Sequence, residues 1–336
     1  MEEKILKIIS YNVDGLPLPK FMCSTGRDPK KATEFNAKYL NDSEADIIAL
    51  QEDFGYHKIL KEKISYEYKT IHSGSIPFGD GLSVFSRYPI FNVKRVEWCE
   101  ANGILRDASD ELTPKGFLYC AVEVMKGVYI DVYDLHADAA EADDDVRVRI
   151  KQFNQLLSFI ESNSKDRAVI VLGDTNTRIG WENSKLRELF VEKHGFKDCW
   201  TECCLGGRYQ KDMVKLDEYQ PFEPDGWDNK FDSLDKVMFR NGKAVSFEAL
   251  THDYVKYGTE EEKKVCAELS DHSAAVVTVR MTVDRDALPG DNRVYNTETV
   301  NYARKYARRF CKFFKALGLI ASDIPSLLKG GKIETK

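Results

Sequence analysis

Apolar residues in this chain come in short continuous runs that stop at a polar side chain, a pattern that predicts strands covered on both faces. The sharpest case is Ala168 to Leu172, halted by Gly173, Asp174, Thr175 and Asn176. Asp174 and Asn176 stand i, i+2 and so share one side of the strand end, while Gly173 lets the backbone turn or another group approach closely. Gly, Asp, Thr and Asn are also ordinary turn residues, so this edge alone decides nothing. Repetition does. Ile5 to Ser10 leads into Tyr11, Asn12, Val13 and Asp14; Asp46 to Leu50 leads into Gln51 and Glu52; Tyr129 to Leu135 ends at His136; and Asp271 and His272 open the run Ala274 to Val279. Edges built alike imply a shared site.

The rest of the chain reads in order around these edges. Asp28 and Pro29 suit the cap and first turn of a helix reaching about Leu40, with Phe35, Tyr39 and Leu40 on its buried face. A short helix over His57 to Lys63 and a strand near Tyr68 to His72 follow, with His57 and His72 expected at the surface. Gly81 to Ser86, Val93 to Cys99 and Lys115 to Met125 read as strands. The acidic stretch Asp138 to Asp145 reads as the solvated start of a helix over Val146 to Glu161, whose Ile150, Phe153, Leu157 and Ile160 lie at helical spacing. Another helix is expected near Glu182 to His194, closed by Gly195, then irregular chain over 199 to 232, strands at Leu234 to Phe239 and Ser246 to Leu250, and a last strand from Asp271 to about Val283. Two successive strand-and-helix groups predict an α/β fold of two packed mixed sheets flanked by helices over residues 1–285, with a tail over 286–336. In that tail Tyr302, Tyr306, Phe310, Phe313 and Leu317 form one stripe beside Arg304, Lys305, Arg308, Arg309, Lys312 and Lys315. The pattern fits a helix docked on its own domain or one lying on an anionic membrane surface.

Composition narrows this picture modestly. A chain of 336 residues can bury a large core, and a formal net charge of −6 weighs against binding nucleic acid through a basic face alone. The eight cysteines are dispersed apart from Cys203 and Cys204, and their spacing assembles no zinc site. Free thiols are expected, with a disulfide among Cys199, Cys203 and Cys204 left open should the protein be exported. The charged start passes straight into the first strand, so no leader is expected unless one was removed before Met1, and no run approaches the ~20 residues of a membrane span. A cytoplasmic or peripheral-membrane location is expected, secretion requiring a lost leader.

The collected rim is Asn12, Asp14, Glu52, His136, Asp174, Asn176, Asp271 and His272, joined by Asp235 from the edge Ser233, Leu234, Asp235. Carboxylates, amides and imidazoles without a thiol suit a hard cation, Mg²⁺ with Mn²⁺ as substitute, held by Glu52 with Asn12 or Asp14 and bound or tuned by Asp271. Mg²⁺ sites pair naturally with phosphate, and phosphoester hydrolysis needs a positioned water, a base and charge stabilisation. His272 suits the base, with Asp235 fixing its tautomer; Asp174 would orient the water, and Asn176 and His136 would hold phosphoryl oxygens.

Tyr11-Asn12, Leu50-Gln51-Glu52, Leu135-His136, Gly173-Asp174-Thr175-Asn176, Ser233-Leu234-Asp235 and Ser270-Asp271-His272-Ser273 occur in the order of the endonuclease/exonuclease/phosphatase family, which the chain resembles over about residues 5 to 284. The resemblance implies a four-layer α/β sandwich, dependence on a divalent metal and phosphoester hydrolysis. Its roles fall on Glu52, His136, Asp174, Asn176, Asp235, Asp271 and His272, and it leaves open whether Asp174 or His272 activates the water. The segment Asp110 to Phe117 resembles the aspartate-to-lysine loop of neutral sphingomyelinases and related phospholipases C, which implies a catalytic part for Lys115 and a phospholipid substrate at a membrane surface. The basic tail and the insertion carrying Phe222, Trp227 and Phe231 fit that interface. Asn12 to Leu16 also resembles apurinic endonucleases, and Gly-Asp-Thr-Asn the tyrosyl-DNA phosphodiesterases, which makes nucleic acid the alternative partner. The chain departs from both: Asp53-Phe54 follows Glu52, and Lys236 stands where an aromatic residue or His often follows the aspartate. A binding scaffold without activity is a third reading, opposed by the intact acids, amides and histidines.

Overall fold

Strand alternation assigns each side chain to one of two cores. The computed structural model describes residues 1–17, 26–76, 78–101, 114–179, 182–208, 233–288 and 294–298. In β1 (Glu2–Asn12), Leu6 and Ile8 face the sandwich interior, and Ile9 and Tyr11 face outward. The outward pair packs beneath α1 (Pro29–Asp42) against Ala37 and Leu40. In β8 (Val169–Asp174), Ile170 and Leu172 point inward while Val169 and Val171 meet Phe153, Leu156 and Ile160 of α3 (Asp143–Asn163). Fully burying such a side chain is worth about 1.5–3 kcal/mol, so the alternation sets the register of both sheets.

The first sheet runs β11-β12-β1-β2-β4-β3, with β2 Ile47–Gln51, β3 Tyr68–Lys69, β4 Ser83–Ser86, β11 Val245–Val255 and β12 Ala274–Val283. The second runs β5-β6-β7-β8-β10-β9, with β5 Ile90–Glu97, β6 Gly116–Met125, β7 Val128–His136, β9 Lys197–Asp198 and β10 Asp235–Arg240. Each six-stranded sheet holds one parallel pair among antiparallel neighbours, β1 with β2 and β7 with β8. Helices α1, α2 (His57–Lys63) and α5 (Glu260–Cys266) belong with the first sheet and α3 covers the second, giving the expected four-layer α/β sandwich. Below the rim, Gln51 Nε2 donates to Asp134 Oδ1 at 2.7 Å and ties the inner faces of the two sheets together.

Local signals located most elements. Asp28 caps α1 by accepting from the Lys31 amide, and Asp143, Asp144 and Asp145 form the first turn of α3, with Asp145 accepting from the Ala142 amide. Two expectations change, and one helix was not foreseen. The helix anticipated over Glu182 to His194 is a 3₁₀ turn, Glu182–Ser184, and a π-helix, Arg187–Lys193, because Lys185 between them is left-handed at φ 59. A short α4 (Cys199–Cys204) opens the stretch expected to be irregular. Helix α5, capped by Thr259, has only one buried residue and leaves no apolar stripe in the sequence.

Cys99, Cys120, Cys199, Cys203, Cys204 and Cys266 are free, so no disulfide joins the 199–204 group. Among the described residues no helix is long and apolar enough to cross a membrane. The tail from Asn301, the aromatic insertion and Asp110 to Thr113 lie outside the described residues. Tyr295 stacks on Tyr129 at 3.8 Å, so the chain after β12 still lies against the second sheet.

Candidate active site

The sheet registers carry the rim residues to one place. His136, Asp174 and Asp235 pair in one row across β7, β8 and β10, and alternation turns all three toward the first sheet. Asn12, at the end of β1, faces them by the same rule, since Leu6 and Ile8 precede it on the inner face. Gly173 permits the row: at φ 129, a Cβ there would lie 2.1 Å from the Leu135 carbonyl oxygen. Glu52, Lys115, His136, Asp174, Asn176, Arg178, Asp271 and His272 line one cavity of about 380 Å³. Glu52 and His272 therefore face the same space.

The amide of Asn12 is the hub. Its Nδ2 lies 3.1 Å from both Glu52 Oε1 and Asp174 Oδ2, and 3.5 Å from His272 Nε2. His272 Nδ1 lies 2.8 Å from Asp235 Oδ2, and its Nε2 is 3.7 Å from Asp174 Oδ2. Burial alone would pull this imidazole down, but Asp235 and Asp174 hold its pKa well above the usual value. Asp235 is fully buried and its backbone carbonyl accepts from the Tyr254 hydroxyl at 2.8 Å, so the orienting carboxylate is fixed.

His136 sits 3.5 Å from Asp174 Oδ2 and 3.9 Å from Glu52 Oε1. Burial, with Lys115 nearby, pushes its pKa down to about 3, so it is neutral. Trp98 Nε1 donates to the His136 carbonyl at 2.7 Å and anchors the strand end. Asn176 donates from Nδ2 to the Ala137 carbonyl, and its amide N–H donates to Asp174 Oδ1, both at 2.9 Å. Lys115 reaches the same Ala137 carbonyl at 3.3 Å, which places its ammonium at the cavity wall.

Two expected cation ligands are engaged otherwise. Asp14 pairs with the buried Arg27 at 2.7 Å and is absent from the cavity wall; burial nonetheless pushes its carboxyl up to about 7. Asn12 directs Oδ1 to the Asp14 amide at 3.0 Å and presents its NH₂ to the two carboxylates. Of the expected cation ligands, Glu52 and Asp271 stand on the wall, which Asp174 and Glu141 share, and burial together with Asp271 raises the Glu52 pKa. An oxygen donor set crowded with negative charge, without a thiolate, fits a hard divalent cation. Asp174, Asp235 and His272 also bring ligand-type atoms within 4.8 Å of one another. The short Asp235 contact already occupies His272 Nδ1, which leaves that nitrogen unavailable to an ion.

Sequence reasoning missed several contributors. Arg178 on the cavity wall follows the Gly-Asp-Thr-Asn motif and carried no separate signal. Arg149 of α3 donates to the carbonyls of Asp138, Ala139 and Ala140 and fixes the loop whose alanines line the cavity. Lys236 turns to the opposite face of β10, near Asp198, where burial lowers its pKa to about 8. It therefore leaves the Asp235–His272 contact undisturbed. His57 and His72, expected at the surface, are instead stacked on each other beside Asp53.

Comparison with known proteins agrees with this geometry. The model of endonuclease/exonuclease/phosphatase family 2 matches residues 10–205. The chain belongs to the endonuclease/exonuclease/phosphatase family. Within that family it is similar to a sphingomyelinase of Mycobacterium tuberculosis, 29% identical over 295 residues that cover 84% of this chain and 54% of the relative. The chain thus spans about half the length of the curated relatives it matches. Its fold is that of a Staphylococcus aureus beta toxin crystallised with bound magnesium ions, at TM-score 0.55 and 18% identity over 82% of this chain and 99% of that one. The D. rerio TDP2 complexed with a single-strand DNA product shares the fold at TM-score 0.58 and 18% identity, covering 82% and 98% of the two chains.

Proposed function

We propose that this family member is a divalent-cation-dependent phosphodiesterase of phospholipase C type, cleaving sphingomyelin or a related phospholipid to a phosphorylated headgroup and a lipid alcohol. The observation that carries the reading is the shared cavity, in which the carboxylates of Glu52 and Asp271 and the Asp235-held imidazole of His272 face one substrate-sized space. The similarity to curated sphingomyelinases supports the lipid substrate.

The residues divide the work as follows. Glu52 and Asp271 would hold Mg²⁺, or Mn²⁺ in its place, which when bound supplies Lewis-acid polarisation of phosphate. In its neutral form, which its raised pKa makes available on the alkaline side, His272 accepts the proton of the attacking water at Nε2, while Asp235 keeps the Nδ1 proton in place and stabilises the imidazolium. Asp174, hydrogen-bonded by the Asn12 amide and the Asn176 N–H, orients that water. Neutral His136, Asn176 and Lys115 meet the phosphoryl oxygens, where donors fixed in advance cost no reorganisation during reaction.

Phosphocholine release from sphingomyelin in detergent micelles, with Mg²⁺ and with chelator, tests the assignment. Release should require the cation and disappear in Glu52→Gln and His272→Ala. Equal turnover by these variants would overturn it, and cleavage of abasic or tyrosyl-DNA substrates in place of lipid would overturn the substrate.

A further inference from the structure

Glu52 occupies a backbone conformation that an ordinary side chain resists. Its φ is 56, in the left-handed region, a cost of about 1–2 kcal/mol that the surroundings must hold. Two glycines press on it: a Cβ at Gly15 would lie 2.4 Å from the Glu52 carbonyl oxygen, and one at Gly81 would lie 3.2 Å from the Glu52 Cα. The Gly15 amide also donates to that carbonyl at 3.0 Å. The next residue is held more completely. Asp53 donates its amide to the Gly81 carbonyl at 2.9 Å, accepts from Ser83 Oγ on Oδ2 at 2.7 Å, and meets His57 Nδ1 on the same oxygen at 2.6 Å. Its backbone carbonyl accepts from His72 Nε2 at 2.9 Å.

The two imidazoles stack with centroids 4.1 Å apart and planes 5° from parallel. His57 opens α2 and His72 follows β3, so the stack ties a helix and a loop to the turn carrying Glu52. Asp53 is 1% exposed, and none of the three lines the cavity. A cation held by Asp53, His57 and His72 is the competing reading, since their ligand-type atoms lie within 4.8 Å of one another and Asp53 Oδ1 makes no hydrogen bond among the described residues. Ring geometry disfavours it. A metal binds the nitrogen lone pair in the ring plane, and two parallel, offset planes share no point where one ion could sit. Both nitrogens nearest Asp53 are also already hydrogen-bonded to it.

We propose that Asp53, His57 and His72 form a positioning clamp that holds the Glu52 turn in its cation-binding conformation without touching cation or substrate. The proposal rests on the reading of Glu52 as the cation ligand given above. Groups that orient metal ligands typically change metal affinity ~10- to 100-fold when removed.

The test uses the full chain and the variants Asp53→Asn, His57→Phe, His72→Phe and Glu52→Gln. Each is titrated with Mg²⁺ by calorimetry, melted in chelator, and assayed on bis(p-nitrophenyl) phosphate across Mg²⁺ concentrations. The phenylalanines keep the ring stack and remove the hydrogen bonds to Asp53, so they report on the clamp even if Asp53→Asn does not fold. The clamp predicts Mg²⁺ affinity weakened ~10-fold or more in His57→Phe and His72→Phe, with kcat recovering at saturating Mg²⁺ and substrate KM unchanged. Lowered melting temperatures with unaltered Mg²⁺ affinity would overturn it, leaving the cluster merely structural. One equivalent of Zn²⁺ or Mn²⁺ bound by the parent and by Glu52→Gln, and lost in the histidine variants, would overturn it in favour of a second cation site. If Glu52→Gln binds Mg²⁺ as the parent does, the cation assignment itself fails; if only that variant loses binding, the clamp alone fails.

Discussion

Asp235→Asn isolates what the orienting carboxylate contributes, because the substitution keeps the shape of a fully buried side chain and removes its charge. The carboxylate lies 2.8 Å from His272 Nδ1, and His272 gains a positive charge as it accepts the proton of water. Unit charges with centres ~4 Å apart interact by about 4 kcal/mol at an effective dielectric of ~20, which corresponds to ~10³-fold in rate. Asp174 stays 3.7 Å from Nε2 and still stabilises the imidazolium, so the expected loss in kcat is ~10²- to 10³-fold. The assay is steady-state hydrolysis of bis(p-nitrophenyl) phosphate at saturating Mg²⁺, with KM expected to stay near the parent value because ground-state binding is untouched. The pH profile provides a second measure. Burial pulls the His272 pKa down and Asp235 is the largest influence raising it, so removing that charge moves the acid limb of kcat/KM to lower pH. In a His272→Ala background the substitution should cost nothing further, since its effect passes through the imidazole. A kcat loss below about tenfold, or an undiminished second loss in that background, would refute the assignment of base and orienting acid.

Gly173→Ala should destabilise the chain by about 3 kcal/mol or more, since the new Cβ would meet the Leu135 carbonyl oxygen at 2.1 Å at a φ of 129; an unchanged urea midpoint would contradict this. His252 is buried without a hydrogen bond on either ring nitrogen among the described residues, and burial, with Lys236 nearby, lowers its pKa to about 3. Between its unfolded pKa of ~6.5 and that value the unfolded chain takes up a proton and the native chain does not, so stability falls as pH falls, by about 2 kcal/mol at pH 5 from this group. In His252→Phe the stability lost between pH 7 and pH 5, measured by urea denaturation, should shrink by about that amount, and an identical loss in the variant would reject the reasoning.

The sequence by itself determined what depends on near neighbours in the chain. Continuous apolar runs located the strands, Asp28 and Pro29 fixed the start of α1, and the three aspartates fixed the start of α3. The placement of acids, amides and imidazoles at strand ends was equally local, so most of the residues that share the cavity were legible, as was Gly173's close approach. Tertiary structure alone decided how those groups are shared. Asn12 and His272 are 260 residues apart, and only the sheet order places them within 3.5 Å. Asp14 looked like a ligand until Arg27 of a following loop claimed its carboxylate, and His57 and His72 looked like surface residues until α2 and the loop after β3 closed over Asp53. Lys236 looked intrusive until alternation along β10 turned it away. A polar side chain announces its chemistry through its type, but its partner is whichever opposite group the fold leaves within about 3 Å, and desolvation makes that choice binding.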